Sequence, residues 1–296
     1  RLAHTNLLTR MFPEAKLTVI EALKNQQQIV AMTGDGVNDG PALKAAHIGI
    51  AMGRGSEIAK EAASLILMDD DLSRMVDAVA LGRKIYINIK KAIRYIISIH
   101  IPIVLTVFLP LILGWQYPNI LTPVHVIFFE LLMGPTCSIV FENEPMEDNL
   151  MQVPPRPYQT TFFKWRELSL SVLQGILITF GVLAMYQYGV QHQYHEAATR
   201  SLVFITMISA NIFLTLVNRS FYYSLWHMLG SSNRLMTWIL LATMVLTVGI
   251  LYLPTLNTFF VMQAPSWQDM ALGAGTGACA VLWMELVKGY LRGRKQ

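Results

Sequence analysis

The chain has 296 residues, 53% of them hydrophobic and 14% charged, with a mean hydropathy of +0.42 and a formal net charge of +4. An ordinary soluble domain is about one-quarter charged, so this composition excludes a freely soluble globular protein and makes lipid the main solvent. The net charge is small and reflects membrane orientation instead of nucleic-acid binding. Cys137 and Cys279 lie in apolar runs with neither metal spacing nor a disulfide framework.

The sequence starts at Arg1 with no charged-then-apolar leader, which predicts no signal peptide and a natural N-terminus further upstream. Up to about Lys91 it reads as an α/β segment. Helical periodicity covers 16–24, with Leu17, Ile20, Ala22 and Leu23 toward one side. The apolar run 29–32 stops at Thr33-Gly34-Asp35-Gly36, as a buried parallel strand would. A helix is expected over 41–46, a second strand over 48–52, a Ser56-capped helix over 57–63 and a third strand over 65–68. Strands alternating with helices imply a parallel sheet, and three strands are too few for a complete domain.

Apolar stretches then run over about 93–113, 124–141, 168–188, 201–217, 236–256 and 270–290. Each matches the roughly 20 residues that cross a hydrocarbon core of about 30 Å. The predicted organisation is therefore 1–91, part of a cytoplasmic domain with hinge and stalk, and 92–296, a bundle of six transmembrane helices. With the first segment inside, the inner segments hold Arg83, Lys84, Lys90 and Lys91, then Arg156, Lys164 and Arg166, then Arg219 and Arg234, then Lys288, Arg292, Arg294 and Lys295. The outer loops hold only Arg200, a strong positive-inside asymmetry that puts both ends of the chain in the cytoplasm. Trp115, Tyr117, Trp165, Trp226 and Trp267 fall at span ends, as an interfacial belt would. The acidic stretch 142–148 is expected to touch the cytoplasmic domain, with a merely solvated loop as the alternative.

Thr33-Gly34-Asp35-Gly36-Val37-Asn38-Asp39 is the most informative string. Asp35 stands where a parallel strand ends, the edge at which open α/β sheets place ligands. Thr33, Gly34 and Gly36 let the backbone approach a phosphate, and a carboxylate there can hold Mg²⁺ beside phosphate oxygens. Asn38 and Asp39 are near enough to complete or orient that shell. A lone Gly-Asp-Gly could equally be a turn; here the string continues from Met32 to Met52 as Met-Thr-Gly-Asp-Gly-Val-Asn-Asp-Gly-Pro-Ala-Leu-Lys-Ala-Ala-His-Ile-Gly-Ile-Ala-Met.

That string resembles the hinge signature of the P-type ATPases, cation pumps whose phosphorylation domain has the haloacid-dehalogenase fold. Arg10-Met11-Phe12-Pro13-Glu14-Ala15-Lys16 looks like the family's segment with a phosphate-neutralising lysine, and Asp69-Asp70-Asp71-Leu72 with Gly82-Arg83 continues the pattern. Six spans after the hinge are similar to the calcium-pump-like and proton-pump-like classes. The resemblance implies an ATP-driven cycle through an aspartyl phosphate. Lys16 would offset charge on the transferred phosphoryl group, Asp35 and Asp39 would hold Mg²⁺, and Asn38 would help place the phosphate and its water. The family's Asp-Lys-Thr-Gly and Thr-Gly-Glu motifs and its nucleotide-binding domain are not in this sequence, so the chain is expected to need further N-terminal domains of the same protein and to be inactive alone. A second reading is a multi-span regulatory or assembly subunit that keeps the hinge without catalysis. An in-frame Asp-Lys-Thr-Gly upstream would separate the two.

Polar groups in mid-span are costly and mark ion paths. His100 lies in the first span before Pro102, and Glu130 in the second before Gly134 and Pro135. Each proline withholds an N–H from the carbonyl four residues back, Ser98 and Leu131, and a dehydrated cation favours such carbonyls beside a carboxylate. The second span is similar to the ion-binding helix of calcium pumps, with Glu130 and His100 where those pumps have asparagines. Gly134 and Ile103, however, stand where they have carboxylates. One cation, Ca²⁺ or another, held by Glu130, freed carbonyls and a helix upstream of this sequence is the expectation, with His100 as a proton carrier, a softer-metal ligand or an interhelical hydrogen-bonding partner. Asn211 is a weaker candidate, equally explained as an interhelical hydrogen bond. The short loops point to a bacterial plasma membrane.

Overall fold

A computed structural model describes residues 7–155, 161–230 and 233–293, and its chain divides into two compact units. Arg156, Arg294 and Lys295 of the predicted inner segments lie outside the described residues.

The first unit comprises residues 1–83 and 151–162. Its elements are α1 (Pro13–Asn25), β1 (Ala31–Gly34), α2 (Gly40–Ala45), β2 (Ile48–Met52), α3 (Glu57–Ala62) and β3 (Leu65–Leu67). Pro13 opens α1 where a missing N–H costs nothing. The Ser56 hydroxyl caps α3 by accepting from the Ala59 N–H at 3.2 Å, as expected. The three strands form one parallel sheet in the order β1-β2-β3, Ala31 opposite Ile48 and Ile50 opposite Leu65. β1 lies further along the chain than its apolar run suggested, because Thr33 and Gly34 continue the ladder to Ala51. Leu43, Ala51 and Ala59 form the buried core between sheet and helices.

The second unit comprises 84–150 and 163–296. It contains most of α4 (Arg74–Ile112), α5 (Pro123–Pro135) running into a π-helical turn (Thr136–Phe141), α6 (Trp165–Gln191), α7 (Glu196–Val217), the short α8 (Leu225–Leu229), α9 (Arg234–Tyr252), α10 (Pro254–Phe259) and α11 (Trp267–Gly293). Among the described residues, six helices are long and apolar enough to cross a membrane. The first begins well before the predicted span, since Arg74 to Ile112 is one unbroken helix through Pro102 and Pro110. The fifth stops at Tyr252, because Pro254 starts a new short helix.

α7 is the central helix of this unit, with 83% of its apolar window buried. It packs most closely on α11, where a Cβ on Gly277 would come within 2.4 Å of the Thr206 carbonyl oxygen. Close backbone approach at small residues is how helices associate in lipid. The loops gather at two ends. At the far end the Tyr117 hydroxyl donates to the Tyr194 carbonyl, and Arg200 donates to the carbonyls of Asn119, Ile120 and Val261 and pairs with Glu196. At the near end Asn88 donates to the carbonyls of Glu142 and Glu144, and Lys90 pairs with Glu167 at 2.6 Å. Trp165, Trp226 and Trp267 project outward at helix ends, whereas Trp115 stacks on Tyr186 and packs against the core.

Candidate functional site

At the C-terminal edge of the parallel sheet, β1 ends at Gly34 and the chain turns through Asp35 and Gly36 into a single 3-10 turn, Val37–Asp39. The Asp35 side chain is exposed, with no partner among the described residues, and Thr33 and Asn38 are exposed beside it. Asp39 is buried. Its Oδ1 lies 2.5 Å from Lys16 Nζ, and its Oδ2 accepts from the Gly36 N–H at 3.3 Å. Burial raises the Asp39 carboxyl, but the Lys16 hydrogen bond, the Gly36 N–H and the ammonium charge outweigh it and hold the pKa below the ordinary 3.8. Gly34 is required by this packing: a Cβ there would sit 2.6 Å from the Asp39 Cβ.

Lys16 and Asp39, expected side by side at the phosphate, are thus joined to each other, and the Asp35 carboxylate takes no part in that pair. A metal ion at Asp39 would have to displace the Lys16 ammonium, whereas Asp35 is free to hold one. Among the described residues no group of three His, Cys, Asp or Glu side chains could form a metal cage. One or two carboxylates are nevertheless what Mg²⁺ takes from protein when phosphates and water complete its shell, so the edge fits that ion.

In the second unit, His100 Nε2 lies 3.1 Å from Glu130 Oε1, and His100 Nδ1 lies 2.8 Å from the Ile96 carbonyl oxygen. Neither side chain is enclosed by the described bundle, with 41% of His100 and 54% of Glu130 exposed. Gly134, one turn along α5, faces open space, Ser138 Oγ donates to its carbonyl at 2.8 Å, and the Leu131 side chain is exposed.

Ser98 and Asn211 are not part of this group. The Ser98 hydroxyl donates to the Ser171 carbonyl at 3.0 Å, and its own carbonyl packs on Gly175 of α6, where an added Cβ would be 2.9 Å away. Pro102 does strip that carbonyl of its N–H, but the carbonyl lies against α6. Asn211 Oδ1 accepts from the Tyr95 hydroxyl at 2.5 Å, the interhelical bond that was the alternative for it.

Sequence reasoning missed the cluster at the near end. Arg219 and Glu144 are both fully buried, with Arg219 Nε and Nη2 each 2.8 Å from Glu144 Oε1. Asn233 Nδ2 donates to Glu144 Oε2 at 2.8 Å, and Lys91 pairs with Glu147 at 2.7 Å while Ser220 donates to the same carboxylate at 2.9 Å. The acidic stretch 142–148 therefore turns its Glu144 and Glu147 carboxylates inward, onto helices of its own unit. An isolated basic residue between two apolar spans, followed by a hydroxyl, was the signal available in Arg219-Ser220.

A family model described as cation transporting ATPase, C-terminus, matches residues 118–290, and one described as haloacid dehalogenase-like hydrolase matches 14–73. The chain is 33% identical over 290 residues to calcium-transporting ATPase 1 of Lactococcus lactis, covering 97% of this chain and 32% of that protein. A calcium-transporting ATPase of Listeria monocytogenes is 32% identical over 289 residues, covering 97% of this chain and 32% of its own length. The human calcium-transporting ATPase type 2C member 1 is 28% identical over 288 residues, 97% of this chain and 31% of that protein. The chain spans about a third of the length of these curated relatives. One model covers more than half of the chain and the other covers its sheet, so the likeness first carried by the hinge string holds throughout: the chain belongs to the cation-transporting P-type ATPases.

Proposed function

We propose that the full protein is an ATP-driven cation pump working through an aspartyl phosphate, and that this chain supplies the Mg²⁺-holding edge of its phosphorylation domain and part of its ion path. The observation that carries the reading is the exposed Asp35 at the end of a parallel strand, with Lys16 held by Asp39 of the following turn, in a chain that goes on to form six apolar helices. Mg²⁺, when bound, would neutralise charge on the phosphoryl oxygens. Asp35 would hold it. Lys16, aimed by Asp39, would face the transferred phosphoryl group, and the backbone of Thr33, Gly34 and Gly36, with Asn38, would lie along the phosphate. The accepting aspartate and the ATP site belong to the parts of the pump outside this chain. The chain alone is therefore expected to form no phosphoenzyme with labelled ATP.

In the membrane, His100 and Glu130 would form the protein-side anchor of the cation, with the freed Leu131 carbonyl and the open space beside Gly134 next to them. A cation taken by Glu130 would compete with the contact it makes with His100. Ca²⁺ needs six to eight oxygens, and among the membrane candidates Glu130 is the one carboxylate, so other helices would complete any Ca²⁺ shell. Positive-inside bias supports placing the near end, rich in lysine and arginine, in the cytoplasm, and the short loops support a bacterial plasma membrane. ATPase activity of the full-length protein, measured against Ca²⁺, Mn²⁺, Mg²⁺, Na⁺, K⁺ and pH, tests the reading. Stimulation by one cation, abolished in Glu130→Gln, is expected. Full-length protein without cation-stimulated ATPase activity would leave the non-catalytic subunit as the better description.

A further inference from the structure

The second span does not remain an α-helix. Pro135 withholds an N–H from the Leu131 carbonyl, and Thr136–Phe141 then forms a π-helical turn. Hydroxyls take up carbonyls around the change of register: Thr136 Oγ1 donates to Leu132 at 3.1 Å and Ser138 Oγ to Gly134 at 2.8 Å. A π turn holds an extra residue relative to an α turn, so rewinding it as α would move one end of the helix by roughly 1.5 Å and 100° against the other. Which end moves depends on which end is held.

The near end is held by one side chain above all. Asn233 Nδ2 donates to the Val140 carbonyl at 3.2 Å, inside the π turn, and to Glu144 Oε2 at 2.8 Å, just beyond it. Asn233 Oδ1 meanwhile accepts from the Met236 N–H at 3.1 Å, capping α9. Glu144 is itself fixed by the fully buried Arg219, and Asn88 donates to the Glu142 and Glu144 carbonyls. The other end of the same helix carries Glu130 and Gly134.

We propose that Asn233 is a positioning residue for the cation site, clamping the π turn so that the register of the second span, and with it the place of Glu130 against His100, is set from the near end. This rests on the cation site proposed at His100 and Glu130. Asn233→Ser separates the clamp from the cap, because serine caps a helix as well as asparagine but cannot donate to Val140 and Glu144 together.

The test uses full-length protein and two readouts. In Asn233→Ser, amide hydrogen exchange over 136–144 is expected to rise roughly tenfold, the scale set by losing ordinary hydrogen bonds, while 236–245 stays unchanged. The half-saturating concentration of the activating cation is expected to rise, with the maximal rate retained. Should serine prevent accumulation of the protein, Asn233→Asp keeps size and cap and reverses the clamp, with the same two effects expected. Unchanged exchange over 136–144, or raised exchange with no shift in cation dependence, overturns the proposal provided Glu130→Gln abolishes stimulation. If Glu130→Gln leaves stimulation intact, the cation-site reading has failed first and takes this inference with it.

Discussion

His100 Nε2 and Glu130 Oε1, thirty residues apart in sequence, meet at 3.1 Å while the other ring nitrogen lies 2.8 Å from the Ile96 carbonyl oxygen. Two groups that act as one unit do not contribute additively. His100→Gln and Glu130→Gln should each lower cation-stimulated ATPase activity of the full-length protein at least about tenfold, and the double variant should be no worse than Glu130→Gln alone. A double variant whose loss equals the product of the two single losses would mean that the residues act separately.

Asp39 and Lys16 make a pH-dependent contribution to the first unit. The folded pKa of Asp39 is depressed, so the stabilisation is fully present above its ordinary 3.8 and is lost as pH falls through the lower folded value. Hydrogen exchange over 31–40, followed from pH 6 downward, should show protection falling off only below about pH 4. In Lys16→Met the protection should be weaker at pH 6 and should change less on acidification, because the ammonium no longer lowers the folded pKa. An unchanged acid profile in Lys16→Met would remove the ion pair from the account.

Arg219 and Glu144 predict an asymmetry. Each is fully buried, so Arg219→Ala strands a carboxylate in the interior and should cost about 3–5 kcal/mol, whereas Arg219→Met with Glu144→Leu should cost far less. Thermal unfolding in detergent separates the cases. Equal losses for the single and double variants would show that packing matters here and charge does not.

Gly277 and Gly275 lie two residues apart and should respond differently. A Cβ at Gly277 would meet the Thr206 carbonyl and the Ala210 nitrogen at 2.4 and 2.8 Å, while one at Gly275 would meet nothing within 4 Å. Gly277→Leu should destabilise the protein by about 1–3 kcal/mol and Gly275→Leu by little. Melting temperatures measured side by side decide it.

Much of this was legible in the sequence because it depends on local periodicity. The strand at Ile48–Met52, the Ser56 cap and all six membrane helices follow from which residues recur at which spacing. What stayed hidden was the choice among distant partners. Nothing near Asp39 in the chain says that Lys16 will take its carboxylate, and nothing near Glu144 names Arg219. Direction was hidden too: Pro102 announces that the Ser98 carbonyl is freed, but only helix rotation decides that it points at Gly175. The π turn left a faint trace in Pro135 followed by Thr136 and Ser138, two hydroxyls placed to satisfy carbonyls that a proline had disturbed.

Arg200 was the single basic residue against the charge bias, and its burial against three carbonyls and Glu196 has a consequence for biogenesis. During synthesis the loop bearing Asn119 and Ile120 is made before Arg200, but Val261 is made some sixty residues later, between α9 and α11. The guanidinium must wait, partly coordinated, for that segment to arrive. Ribosome-released chains ending at Tyr252 should accordingly be degraded by membrane quality control sooner than chains ending at Ala264, and equal lifetimes in a pulse-chase would contradict that order of assembly.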